Sequence, residues 1–274
     1  MRHLSPSSRH LLLRLVLAGV AISIPMSSSA DIVPITNSGF EDTTGQTPFN
    51  EFTFGIPAGW QAYNPHGVIG MSGVFPGTLM PNGIDFFNGP APEGIRVGIL
   101  FNSQQEGTGE YGFEQTLTET LAANTAYTLT AEVGNIASGF ATNGTFFNLD
   151  EFPGYRIELL AGGTVIAADN NSLTIAEGEF ATSTIQFTTA ASHPLLGQAL
   201  GIRLINLNVI PDGFTQATSP DLEVDFDRIL LQATAIPEPS PFGLLIGAGM
   251  LSLMMTRYRV LKGTRLIENL CRPL

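Results

Sequence analysis

The chain has 274 residues and a formal net charge of −12, and eight of its twelve basic residues sit near its two ends. Between Asp31 and Ala235 there are four arginines (Arg96, Arg156, Arg203 and Arg228), no lysine and twenty-two acidic residues, a net charge of −18. A surface of that sign repels phosphate backbones, which argues against a nucleic-acid partner. The only cysteine, Cys271, lies outside this segment, so disulfides cannot stabilise it.

The chain opens with Arg2, Arg9 and Arg14, followed by an apolar run from Leu15 to Ile24, a break at Pro25 and the small residues Ser28-Ser29-Ala30. This order predicts a signal peptide over residues 1–30, cleaved after Ala30. The run is too short to anchor the chain, because a spanning helix takes about 20 residues.

From Asp31 the pattern is β. Ile95–Phe101, Ala126–Val133, Tyr155–Leu160, Thr164–Ala168, Ala181–Thr188, Gly201–Leu207 and Leu222–Leu231 are short segments rich in Val, Ile, Thr and aromatics. They alternate apolar with polar residues between Gly, Asn, Pro and Asp clusters. Ala161-Gly162-Gly163 predicts a tight hairpin turn, since glycine reaches the positive φ such turns need. Residues 60–93 read as loops with at most one strand. The expectation is an all-β, antiparallel jelly-roll sandwich over residues 31–235.

In the last predicted strand, alternation puts Leu222, Val224 and Phe226 on one face and Glu223, Asp225 and Asp227 on the other. Three carboxylates at that spacing repel one another unless a cation, an arginine or protonation neutralises them. His66 and His193 stand apart and do not form a zinc pattern. No G-x-S-x-G or H-E-x-x-H motif is present.

At the C-terminus, Pro237-Glu238-Pro239 precedes an apolar run from Phe242 to Met255 and the basic residues Arg257, Arg259, Lys262 and Arg265. This resembles the PEP-CTERM sorting signal, which implies a transmembrane helix within 236–265, an exosortase-type enzyme as partner, and delivery to the cell surface or extracellular matrix. The arginines would stay on the cytoplasmic side. A tail, 266–274, follows the signal; the extension from Val260 to Leu274 departs from the usual pattern, in which the chain stops after the first arginines.

Four further segments resemble the galactose-binding-like fold of carbohydrate-binding modules: Asn37-Ser38-Gly39-Phe40-Glu41, Ile56-Pro57-Ala58-Gly59-Trp60, Gly112-Phe113-Glu114-Gln115-Thr116-Leu117, and Val224 to Ile229. The resemblance implies a structural calcium held by Glu41 and Asp227. It also directs attention to Trp60 and Tyr63 as aromatics that stack on sugar rings.

The segments Trp60–Pro65, Phe152–Arg156, Leu159–Asn171, Gly178-Glu179-Phe180 and Gly201–Leu204 resemble the Stig cyclases. That family implies a calcium-dependent enzyme that rearranges and cyclises indole alkaloids, with an aspartate as general acid in an aromatic pocket. Asp225 is the matching position.

The sequence therefore points first to a non-catalytic, calcium-stabilised sandwich associated with extracellular polysaccharide or biofilm matrix. The alternative is a Stig-cyclase-like enzyme acting through Asp225. An open groove with exposed aromatics would favour the first, and an enclosed aromatic pocket with its acid inside would favour the second.

Overall fold

The computed structural model describes residues 29–237, apart from 82–84 and 104–106. Most of the expected signal peptide lies outside these residues, as do Glu238, Pro239, Arg257 and Arg259; Ala30 and Pro237 lie within them. Among the described residues, no helix is long and apolar enough to cross a membrane.

Among the described residues, the regular structure is built of fifteen strands, numbered in chain order. The larger sheet runs Glu179–Thr188 (β13), Thr125–Asn135 (β8), Leu222–Ala235 (β15), Val97–Asn102 (β6), Val74–Leu79 (β5), Phe52–Phe54 (β3) and Thr47–Phe49 (β2). Its eighth strand, Ala30–Val33 (β1), pairs with the C-terminal half of β15. The smaller sheet runs Thr164–Asn170 (β12), Tyr155–Ala161 (β11), Ala199–Asn206 (β14), Tyr111–Thr120 (β7) and Gln61–Tyr63 (β4). A separate hairpin joins Gly139–Phe140 (β9) to Phe146–Phe147 (β10). The two main sheets are antiparallel throughout and pack as the expected sandwich.

Each of the seven strands expected from alternation is present. The turn between β11 and β12 uses Gly162 and Gly163 at φ 58° and 78°. Residues 60–93 hold two strands, β4 and β5, rather than one at most. Three-residue β4 is too short to show a period. β5 contains Pro76 and Gly77, residues that weaken any strand signal.

The main core fills the space between the sheets. Phe113 and Leu117 of β7, Ile157 and Leu159 of β11 and Leu204 of β14 meet Leu129 and Val133 of β8 and Val224 and Phe226 of β15. Phe40 is fully buried here, and its ring stacks on Trp60 at 5.5 Å and lies 5.8 Å from Phe113. Burial of each such ring stabilises the fold by about 1.5–3 kcal/mol.

A second apolar cluster lies on the opposite face of the larger sheet. Val97, Ile99 and Phe101 of β6 contribute to it, covered by loop residues including Phe86, Phe87 and Leu149. This explains why β6 reads as a continuous apolar run: both its faces are buried.

β15 carries the feature that positions the site. Its register against β8 shifts between Asp227 and Leu230, with Arg228 at φ 47°. Before this bulge, Val224 and Phe226 point into the inter-sheet core; after it, Ile229 and Leu231 do. An inserted residue flips the parity of a strand. Upstream of the bulge, Glu223, Asp225 and Asp227 therefore face the second cluster.

Candidate active site

On that second face, a cavity of about 470 Å³ is lined by Phe49, Phe52, Phe54, Phe75, Phe101 and Phe147, together with Glu223. Phe52 and Phe101 are buried, whereas Phe49 and Phe75 are exposed and mark the mouth. The rings contact one another, with Phe54 4.9 Å from Phe75 and Phe52 6.0 Å from Phe147. The β9–β10 hairpin brings Phe147 to the wall. It is tied to the β2–β3 turn through Glu51, which accepts hydrogen bonds from the Thr142 backbone N–H at 2.9 Å and from the Thr142 hydroxyl.

Glu223 lies at this cavity and Asp225 follows it on the same face of β15; they are 3% and 0% exposed. Among the described residues, neither Asp225 oxygen, nor Glu223 Oε1, has a hydrogen-bond partner. Burial pushes Glu223 up to about 8; the hydrogen bond from Asp225 opposes this and the nearby Asp221 charge adds to it. Burial, then the charge and hydrogen bond of Glu223, push Asp225 well above the usual carboxylate range. No basic group contributes to either shift. Two acids without a counterion in an apolar site hold protons at neutral pH and can donate them.

Close packing keeps Asp225 in place. It pairs in register with Gly134 of β8, where an added Cβ would lie 2.6 Å from the Phe180 ring and 2.9 Å from Asp225 Cβ. The Phe180 ring beside it stacks on Phe87 at 4.4 Å.

Asp227, the third acid of the row, has a different environment. Its Oδ2 accepts the Glu93 N–H and its Oδ1 the Arg228 N–H, each at 2.7 Å. Glu41 holds the same turn from its other end, with Oε1 accepting the Ile95 and Arg96 N–H groups at 2.7 and 2.8 Å. Gly94, at φ 59°, leaves room for this, since a Cβ there would fall 2.2 Å from Glu41 Oε1. Burial pushes Asp227 up to about 7; its two backbone hydrogen bonds oppose this, while the Glu93 and Glu41 charges add to it.

The two residues expected to bind calcium thus grip one loop from distant parts of the chain. Their oxygens suit a hard cation, and their mutual repulsion is the kind a cation relieves. Among the described residues, however, no three His, Cys, Asp or Glu side chains form a group that could hold a metal ion. The pair fits calcium in donor type, and carbonyl oxygens or water would have to complete the shell.

The expected sugar-stacking residues require correction. Trp60 is 5% exposed, lies in the inter-sheet core and donates its indole N–H to the Asn37 carbonyl at 3.1 Å, so its ring has no free face. Tyr63 lies on the other sheet, where its hydroxyl donates to Glu110 at 2.8 Å and the Arg203 guanidinium covers its ring at 4.6 Å. Neither lines the cavity. Alternation identified the acidic face, but it did not distinguish Glu223 at the cavity from Asp225 behind it. The phenylalanines of β2 and β3 were missed because their strands are only three residues long.

Comparison with known proteins supports the cyclase alternative. The family model HpiC1-like, described as HpiC1 cyclase, matches residues 31–232. The Stig cyclase Fisc from Fischerella sp. TAU, solved with (3Z)-3-(1-methyl-2-pyrrolidinylidene)-3H-indole, is 38% identical with a TM-score of 0.63, covering 76% of this chain and 100% of its own. A cyclase from the same source, solved with 4-(1H-indol-3-yl)butan-2-one, is 37% identical with a TM-score of 0.62 over 76% and 100% of the two chains. A xylan-binding module from Paenibacillus barcinonensis reaches 13% identity and a TM-score of 0.41 over 77% of this chain and 99% of its own, too distant to carry sugar binding across. A search of curated proteins found no match.

Proposed function

The chain belongs to the HpiC1-like cyclase family, and on that premise we propose that it catalyses a proton-initiated rearrangement or cyclisation of an indole-bearing small molecule. The observation that carries this reading is the buried, donor-free pair Glu223–Asp225 under a cavity walled by phenylalanines. The cavity takes up an aromatic substrate. One carboxyl of the pair protonates its π system, and ring closure leaves the positive charge on the newly cyclised skeleton. Loss of a proton then restores the acid, so the overall reaction is an isomerisation and consumes no co-reactant. The phenylalanine faces stabilise the passing positive charge and exclude water that would trap it. Family resemblance assigns the general-acid role to Asp225.

Calcium enters this reading as a structural ion at Glu41 and Asp227, fixing the 93–96 turn and the bulged end of β15; no proton moves through it. Export through the signal peptide and sorting to the cell surface by the PEP-CTERM segment, with an exosortase as partner, complete the proposal.

The test uses 4-(1H-indol-3-yl)butan-2-one as probe in D2O, with deuterium entering the indole ring followed by NMR. The protein should accelerate the exchange, and the double variant Glu223→Gln/Asp225→Asn should lose about 10²–10⁴-fold, the usual contribution of a positioned acid. Exchange at the buffer rate with the native protein would refute the proposal.

A further inference from the structure

We infer that Glu51 is a positioning residue that sets what the cavity admits: it fastens the tip of the β9–β10 hairpin and so keeps Phe147 in the wall. The inference rests on the cavity being the substrate site of the reading above. It goes further by giving selectivity to a residue that does not itself line the cavity. The hairpin has two paired positions, Phe140 with Phe146 and Gly139 with Phe147, and a two-stranded hairpin that short does not hold itself in water. Its base is anchored. The Ala137 N–H donates to the Phe86 carbonyl at 3.0 Å, the Leu149 N–H to the Ser138 hydroxyl at 2.8 Å, and the Asp221 N–H to the Asn148 carbonyl at 2.9 Å. Its outer rings, Phe140 and Phe146, are exposed and touch each other at 5.1 Å. Among the described residues, the hydrogen bonds that tie the tip to another element are those from Thr142 to Glu51.

Glu51 is placed to make that hold. It is 4% exposed, and its two carboxyl oxygens take the backbone N–H and the hydroxyl of one residue. Its own carbonyl accepts the Met80 N–H at 3.0 Å, which ties its turn to the chain just past β5. That turn joins β2 to β3, the strands that supply Phe49, Phe52 and Phe54. One side chain therefore fastens two walls together, and Phe147 rests 6.0 Å from Phe52 and 5.9 Å from Phe101. No arginine among the described residues pairs with Glu51. Water can replace both donors when the hairpin lifts, so the latch contributes only the modest net value of two hydrogen bonds. A ligand that fits behind the closed wall keeps those bonds, whereas a bulkier one fits only with the hairpin lifted and forfeits them. The difference between the two affinities is then the value of the latch.

The test compares two ligands by calorimetry: 4-(1H-indol-3-yl)butan-2-one, and the same probe benzylated on the indole nitrogen. The native protein should prefer the smaller one. Glu51→Gln keeps both bonds, because its amide oxygen accepts the Thr142 N–H and its NH2 donates to the Thr142 hydroxyl; its preference should match the native one. Glu51→Ala should bring the two affinities about tenfold closer together. A merely structural loss would weaken both ligands alike and leave their ratio unchanged. Hydrogen exchange needs no ligand: amides in 139–147 should exchange roughly 10–100-fold faster in Glu51→Ala and at the native rate in Glu51→Gln, with β8 and β15 unaltered. Thr142→Val cuts the latch from the other side and should move the ratio the same way by less, which decides the matter if Glu51→Ala does not fold. The inference is overturned if breaking the latch leaves the ratio at its native value, or if Glu51→Gln behaves like Glu51→Ala. If the native protein binds the smaller probe without deuterating it, the cyclase reading fails while the ratio still decides the inference. If it binds neither probe, both fail.

Discussion

The two outer faces of the sandwich both carry rows of acids, and they neutralise them by different means. On the smaller sheet, Arg156 pairs with Glu110 and Glu158 at 2.6 and 2.8 Å, and Arg203 pairs with Glu114 and Glu158 at 2.9 and 3.2 Å. Apart from Glu158, which is buried, these groups are partly exposed. Against the pull of burial, hydrogen bonds from Arg156 and Tyr63 hold Glu110 below its ordinary pKa. On the larger sheet, no arginine among the described residues pairs with Glu223 or Asp225, and loops carrying phenylalanine cover them. Two of the four arginines between Asp31 and Ala235 serve the first face; on the second, Arg228 reaches Glu132 instead of the buried row. An acidic row matched by arginines is an ordinary polar surface. An acidic row buried without them is costly to maintain, and it makes sense as a store of protons for chemistry.

Metal removal is the strongest perturbation expected to separate the faces. Chelation should lower the melting temperature by roughly 5–10 °C, the scale expected when a ligand at about 100 times its Kd is lost from a domain this size. Glu41→Gln or Asp227→Asn should abolish that dependence, whereas substitutions on the smaller sheet should preserve it. An unchanged melting temperature in chelator would remove calcium from the account.

Arg203→Ala should have a smaller effect. It strips a partner from Glu114 and Glu158, but Arg203 and Glu114 are partly exposed and the buried Glu158 keeps Arg156, so the loss should be about 1 kcal/mol, seen as a shift of about 2–4 °C. Probe deuteration should be unaffected, because the cavity lies on the opposite side. A large loss of exchange would show that the two faces are coupled.

The smallest effect is local. Thr142→Val removes one of the two hydrogen bonds to Glu51, and amide exchange across residues 139–147 should quicken roughly tenfold without a shift in global melting. Uniform loss of protection across β8 and β15 would instead make the latch part of the global fold.

Much of this contrast was legible in the chain. Alternation through Leu222–Phe226 placed three acids on one face, and the switch to Ile229 and Leu231 marks the bulge that ends the row. Two motifs far apart in sequence pointed to Glu41 and Asp227, and both side chains accept backbone N–H groups of the 93–96 turn. Depth could not be read, because alternation assigns a face without saying what covers it; Glu223 and Asp225 look equivalent until the cavity is seen. Trp60 misled for a related reason. An aromatic after a Pro-Ala-Gly turn can stack on a ligand or on a neighbour, and here the neighbour is Phe40, held at φ 59° against it. The cavity wall was hidden because its phenylalanines come from β2, β3 and the β9–β10 hairpin, elements too short to show periodicity.

The central claim, that the Glu223–Asp225 pair holds its protons at neutral pH, is tested most directly by stability against pH in the native protein and in Glu223→Gln/Asp225→Asn. Glu223 is raised from an ordinary value of 4.5 to about 8, and Asp225 is raised in the same direction. A carboxyl raised by folding contributes stability that is fully present below its unfolded pKa and is lost as pH climbs through its folded pKa. The native protein should therefore lose stability relative to the double variant between about pH 5 and 8, with the gap widening steadily. A gap that stays constant across that range would mean that the pair is ionised, and that the site is no store of protons.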